Sequence, residues 1–239
     1  RAIVEVGLDP DNRKLSQAFA DGVFSVKDTS LPGMWRMPED MGGGNIGHVF
    51  GVDGTKEEDL TKGIIDARKR MQEYEYYYTH YLEGYEKAFL VSTGANLGIR
   101  ETRRIIGEYI LNTEDYEKRA SFDDEIGRYC YPIDLHPLEP GAAKTKHEED
   151  YTKGYGKGNS YGIPYRCLLP KNTENLLVAG RCISTSREMN GSTRVMPCCF
   201  ITGMAAGAAA AFSKDSNVRA VSVSSLRQEL RKRGGYLPE

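Results

Sequence analysis

A chain of 239 residues, 39% hydrophobic and with a formal charge of −2, has room for one large domain or two small ones and apolar residues enough for a core. That charge balance gives no reason to expect nucleic acid or an anionic membrane surface as a partner. Five cysteines without CxxC or disulfide-scaffold spacing read as free, mostly buried thiols, and four histidines that do not cluster with them leave no metal site expected. The chain begins at Arg1 rather than Met, so the lack of a leader says nothing about location, and cytoplasmic and periplasmic placements stay open.

Residues 2–6 predict a strand and residues 18–26 a strand or a short helix, with Trp35 in a Pro- and Met-rich loop. The run from Gly42 to Gly47 satisfies GxGxxG, but it follows a charged loop and leads into an extended stretch. A dinucleotide fingerprint joins a strand to a helix, so this run reads instead as a glycine-rich loop shaping a pocket. Gly154, Gly156 and Gly158 fail the same test inside a polar linker.

Thr55 and Glu58 form a capping-box pattern. Leu60, Ile64, Ala67, Met71, Tyr74, Tyr78 and Tyr81 then recur every three or four residues, predicting a helix of roughly six turns with one buried face. Residues 88–93 predict a strand. Residues 100–111 predict a helix on which Arg100 shares a face with Arg103 or Arg104. Two such guanidiniums suit bidentate binding of a carboxylate or phosphate; ion pairing to Glu101, Glu108 and the acidic run 114–117 is the alternative.

Further along, residues 121–129 predict a helix, 131–135 a strand, 137–158 an exposed polar excursion and 161–169 a strand. Leu176-Leu-Val-Ala179 ending on Gly180 reads as a buried strand stopping at a turn, followed by a polar loop over 181–194. Residues 197–211 predict a slim helix with Pro197 in its first turn. Gly203, Gly207 and the alanines leave its backbone open to close approach. A strand, a loop holding Ser192 and Thr193, and a helix N-terminus outline a site for an anion or dipole. The helix is shorter than the roughly 17–25 apolar residues of a membrane span; an ordinary buried helix against a sheet is the alternative. Cys198 and Cys199 are neighbours on it, point in different directions, and read as core thiols. Residues 218–233 close the chain as an amphipathic helix with Val223, Leu226 and Leu230 inward.

The stretches carrying Gly47-His-Val-Phe-Gly-Val-Asp53, the run from Gly98 to Tyr109, Ile163-Pro-Tyr-Arg166, the run from Asn175 to Ser184, Gly191-Ser-Thr-Arg-Val195, Pro197, Cys199 and Gly203-x-Ala-Ala-Gly207 together resemble the bacterial FAD-dependent oxidoreductase family. That family lies within the two-domain, glutathione-reductase-like flavoproteins. Some relatives carry a xanthan-lyase-like label, and no residue here points to lyase chemistry.

The resemblance implies an α/β fold. Residues 1–150 would form an α+β cap or substrate domain, 151–213 the C-terminal part of a Rossmann-like FAD-binding domain, and 214–239 a helical tail. It also implies that the N-terminal phosphate-binding βαβ unit lies elsewhere in the same protein or on a partner chain, so that this chain alone is expected to be flavin-free. Gly180, Arg181 and Cys182 would pass near the ribityl and pyrophosphate of FAD, although relatives often carry an acid where Arg181 stands. Ser192, Thr193, Arg194, Val195 and Pro197 would meet the N1–C2=O edge of the flavin. Asn45 and Tyr165 are the substrate-binding candidates, and Arg100 and Arg103 would act at the cap–flavin boundary. His48 is the natural proton donor or acceptor near neutral pH, with a structural role as the alternative. The implied reaction is hydride transfer between a small polar organic substrate and flavin. A non-catalytic assembly subunit, packing its small-residue helix on a partner chain, is the competing reading.

Overall fold

The computed structural model describes residues 3–4, 13–28, 34–37, 40–142, 145–213 and 217–238. The chain separates into two compact units, Arg1–Ile99 with His136–Ala143, and Arg100–Leu135 with Lys144–Glu239. The boundary expected near residue 150 falls inside the second unit, whose core takes Ile126 and Ile133 from one side of it and Tyr161 and Leu226 from the other. Helices and two small antiparallel sheets make a mixed α/β content. Among the described residues no single helix is long and apolar enough to cross a membrane.

In the first unit, β1 (Ile3–Val4), β2 (Met34–Arg36) and β3 (Gly42–Gly43) pair antiparallel, Ile3 facing Trp35 and Trp35 facing Gly43. Trp35 is therefore in a strand rather than a loop. Only residues 18–20 of the ambiguous region are helical, as the end of α1 (Arg13–Ala20), which buries Leu15 and Ala18, while residues 21–26 form neither helix nor strand. The long helix is α2 (Glu57–Tyr81), which buries Tyr74, Tyr77 and Tyr78. Its capping box does not form: Lys56 is the N-cap and makes no side-chain cap, while Thr55 donates back to Asp53 Oδ1 at 2.7 Å. Glu57, Glu58 and Asp59 in the first turn supply the favourable charge instead. Phe24 packs on Tyr74 and Tyr77, with ring centroids 5.4 and 5.5 Å away. The strand expected at 88–93 has no ladder partner among the described residues, and Phe89 and Val91 stand 74% and 70% exposed.

In the second unit, α3 (Thr113–Glu117) is opened by a full capping box between Asn112 and Asp115. The helix expected at 121–129 is instead β4 (Glu125–Tyr129), antiparallel to β5 (Tyr161–Pro164). Nine residues that include Gly127 are too few for helical period to decide, and the partner strand supplies the ladder. A tight 3-10 turn at Tyr165–Leu168 replaces the end of the strand expected over 161–169. Residues 131–135 form no regular strand, and the expected linker contains α4 (Lys146–Thr152), capped by Thr145 and Glu148.

The helix expected at 100–111 is absent. Its backbone is extended and bonded across the chain: Ile105 N–H to Cys182 O, Glu108 N–H to Leu169 O, and Leu111 N–H to Ser184 O. Those distant acceptors replace the i−4 carbonyls, and Gly107, which fits between Ser184 and the Leu169 carbonyl, weakens any helix there. Arg100 and Arg103 therefore share no helical face.

The polar loop expected at 181–194 folds into α5 (Arg187–Thr193), and α6 (Met196–Phe212) follows with Pro197 in its first turn, as read from the sequence. α7 (Val223–Lys232) lies against α6 and β4 with Leu226 and Leu230 fully buried.

Several phenols are buried deeply enough to make stability alkali-sensitive. Burial raises Tyr78 and Tyr165 to about 12, and Tyr161 is raised well above its ordinary value. The unfolded phenols ionise near about 10. The folded state thus keeps protons that the unfolded chain loses. The associated stability is complete below about pH 10 and disappears as pH rises through about 12. Tyrosinate absorbance and circular dichroism followed together should show these phenols ionising only as the fold is lost. Ionisation of every tyrosine near pH 10 with the fold intact would refute this.

Candidate functional site

The second unit gathers most of the cofactor-binding candidates around the N-terminal third of α6. Residues 176–179 run extended but join no sheet; Val178 N–H donating to Leu168 O is the contact that holds them. The strand expected there lacks a parallel neighbour among the described residues. The run ends at Gly180, whose φ of +82° is left-handed backbone that favours glycine, and turns through a 3-10 segment, Gly180–Cys182. Two side chains clamp this turn. Thr202 Oγ1 on α6 accepts from Gly180 N–H at 3.0 Å, and Asn190 Nδ2 on α5 donates to Arg181 O at 2.9 Å. Asn190 is 1% exposed, and its Oδ1 has no hydrogen-bond partner. A buried acceptor left unmatched costs free energy unless something donates to it.

α5 is held in the core, opposite to the open polar loop expected. Ser186 caps it by accepting from Met189 N–H. Gly191 lies against the backbone of Asp134, where an added Cβ would come within 3.0 Å of the carbonyl oxygen. Ser192 and Thr193 are fully buried; the Ser192 hydroxyl bonds Tyr161 Oη at 2.7 Å and donates to Tyr131 O at 2.6 Å. Their side chains are committed to packing.

Arg194 reaches back to Asp134, with Nη2 at 3.1 Å from both the carbonyl oxygen and Oδ2. Arg100 approaches the same carboxylate at 3.9 Å, and its own pKa is lowered, first by burial and then by the Arg194 charge. Two guanidiniums thus approach one carboxylate. Val195 is the N-cap of α6 and offers no side-chain cap. The next residues, Met196 and Pro197, are exposed. Met196 N–H and Cys198 N–H have no intrahelical acceptor, by the geometry of any helix start. Burial raises the thiols of Cys198 and Cys199, and Cys167 to about 12, so all three are protonated at neutral pH and none is a thiolate nucleophile.

The other candidates divide between the two units. Tyr165 is 3% exposed with its hydroxyl donating to Val218 O, and Arg103 is exposed while its neighbour Arg104 pairs with Glu101 at 2.6 Å. Asn45 and His48 belong to the first unit, where Asn45 is exposed and His48 meets Asp28 and His136. Sequence reasoning did not single out Asp134, Asn190, Thr202, Asp28 or His136. Asn190 sits within the conspicuous Met-Asn-Gly-Ser-Thr-Arg run; nothing local marks the others.

Residues 180–198 thus present a left-handed turn and an uncapped helix start, with Arg194 and Arg100 meeting at Asp134. A family model described as FAD dependent oxidoreductase matches residues 4–230, and the chain belongs to that family of flavoproteins. No curated protein and no solved structure matches it. The residues present fit the polar edge of a flavin. The unmatched Asn190 Oδ1 sits beside the turn, the helix start lies at the same end of α6, and the positive charge complements an electron-rich ring.

Proposed function

We propose that the intact protein transfers a hydride between a small polar organic substrate and FAD, with residues 180–200 holding the flavin. FAD, when bound, supplies the hydride chemistry, while the protein positions, polarises and excludes water. In this reading the 180–182 backbone runs beside the ribityl chain. The first-turn amides of α6, with Arg194 and Arg100 behind them, stabilise negative charge on the pyrimidine edge. The first unit serves as the substrate-binding cap and the second as the C-terminal part of the flavin domain, with residues 214–239 as its tail. His48, Asn45 and Arg103 are assigned to the substrate side; the buried hydroxyl of Tyr165 favours a supporting role for that residue.

The pyrophosphate requires a strand–GxGxxG–helix, and the Gly42–Gly47 run does not have that form, since no helix follows β3 until α2 at Glu57. We assign that cradle to a segment outside residues 1–239, on the same protein or on a partner chain. The observation that carries the reading is the uncapped start of α6 beside the Gly180 turn, in a chain of this family.

A second reading draws on the outer face of α6, where Met196 and Phe200 are 72% and 69% exposed and a Cβ added at Gly203 or Gly207 would meet nothing within 4 Å. Such a face also suits a non-catalytic subunit packed on a partner. Absorbance from roughly 350 to 500 nm, the flavin's own band, separates the two readings. With FAD added, the protein carrying its upstream segment should retain the band and this chain alone should not. Absence of the band from both would leave only the assembly reading.

A further inference from the structure

Beside Asp134, two guanidiniums of the second unit carry N–H groups with no acceptor among the described residues. Arg194 uses Nη2 on Asp134, at 3.1 Å from the carbonyl oxygen and from Oδ2, while its Nε and Nη1 hydrogen-bond to no described residue. Its side chain is 10% exposed, yet neither of these two nitrogens is sealed inside the protein. Arg100 approaches the same Oδ2 at 3.9 Å, too far for a hydrogen bond, and its side chain is 35% exposed. That ion pair is the one polar contact of the Arg100 side chain among the described residues.

Such donors are costly to leave unmatched. A guanidinium carries five N–H groups in a planar fork, and taking it partly out of water without acceptors costs free energy. Burial is the first cause that lowers the pKa of Arg100 and the Arg194 charge is the second, with Asp134 and Tyr131 acting the other way. An anion held between the two guanidiniums would oppose both causes, since it supplies acceptors and offsets their repulsion. The next acid along the chain does not take that place: Glu101 turns to Arg104 at 2.6 Å and to Arg187 at 3.8 Å. A structural clamp on Asp134 accounts for Nη2 of Arg194 but leaves its Nε and Nη1 and the whole Arg100 fork unexplained.

We propose that Arg100 and Arg194 hold the carboxylate of a small organic substrate, donating to its two oxygens from the N–H groups that Asp134 does not use. The planar forks match a planar carboxylate. Asp134 stays beside them, so the place suits a singly charged group; the second charge of a phosphate would face that carboxylate. The exposed parts of Arg100 and of Tyr131, which is 37% exposed, leave the place open to a small molecule. Binding depends on these side chains alone; that the bound molecule is the partner in hydride transfer rests on the oxidoreductase reading. In that reading the substrate's carboxylate, not the flavin, meets these N–H groups, and the guanidiniums act on the flavin edge through charge alone.

The test is an NMR titration of the arginine Nε–H groups in this whole chain, without flavin. The probe is glycolate, the smallest acid with a hydroxyl on the carbon next to its carboxylate. Sodium chloride at equal ionic strength is the control, and inorganic phosphate is the competitor. The Nε–H signals of Arg100 and Arg194 should shift saturably with glycolate, while that of Arg68, exposed on α2, should move no more than in chloride. Arg100→Gln, followed at Arg194, should weaken binding by about tenfold or more, because it removes charge-assisted hydrogen bonds. Arg100→Lys keeps the charge without the fork and should fall between the two. Shifts of both signals no larger than those in chloride would overturn the subsite. Tighter binding of phosphate than of glycolate would overturn the assignment to a carboxylate. The native titration decides this even if a variant does not fold. Because no flavin is present, a failure here leaves the absorbance test of the cofactor reading untouched, and the reverse also holds.

Discussion

Replacing Arg128 by leucine is expected to lower the unfolding free energy by about 3–5 kcal/mol, the cost of leaving a buried charge without its partner. The Arg128 side chain is 9% exposed and that of Glu125 is 4% exposed, with Nη1 and Oε2 at 3.0 Å. The guanidinium also donates to Ser160 Oγ and Ser121 Oγ at 2.9 Å and to Ser160 O at 2.7 Å, tying both ends of the β4–β5 pair together. Leucine removes every one of these donors. Among the described residues, Glu125 would keep a weak contact from Phe122 N–H at 3.4 Å. Urea unfolding of the native protein and of Arg128→Leu measures the loss, and the double replacement of Glu125 and Arg128 by leucine should recover part of it. A single-variant loss below about 1 kcal/mol, the range of exposed ion pairs, would show that the pair is solvated in solution.

Leu230→Ala is the second large effect, about 2–5 kcal/mol from lost burial plus the cavity left behind. Leu230 is fully buried on α7, which packs against α6 and β4, so it helps to hold the helix whose start forms the candidate site. Met204 of α6 reaches the same corner, its Cε 3.3 Å from where a Cβ on Gly235 would stand. A flexible thioether there can fill part of the void, which favours the lower half of the range. The denaturant midpoint should fall without a change in slope, since the surface exposed on unfolding is nearly the same. Arg227→Ala, on the same helix but bonded at 3.2–3.5 Å to scattered carbonyls, is the contrasting variant and should cost about 1 kcal/mol or less. Equal losses for the two would contradict this account of how α7 is held.

What was legible in the sequence follows the length of each signal. α2 and α7 announce themselves through a hydrophobic stripe repeated over several turns, and α6 through Pro197 and its small-residue run. The Thr55–Glu58 box was misleading because Asp53 sits two residues earlier and captures the threonine hydroxyl. Short apolar runs carried no reliable period. Residues 121–129 and 100–111 read as helices, yet one is a strand and the other is extended.

The site divides in the same way. Gly180 and the start of α6 could be found locally, one from a glycine closing an apolar run and the other from a proline ahead of small residues. Asp134 could not, because the charge it balances comes from Arg100 and from Arg194, 60 positions further on. His136 could not either: it is 88 positions from His48, and neither neighbourhood hints at the other.

By itself, then, the sequence determined the long helices, the residue types able to bind an anion or move a proton, and a family resemblance that the family match bears out. Only the tertiary structure decided which short segments became strands, that Ser192 and Thr193 are buried, and which charges meet. The reason is physical. A backbone N–H or a buried charge must find a partner wherever the fold brings one, as Ile105 does at Cys182 and Leu111 at Ser184. No local window of sequence contains both halves of such a pair.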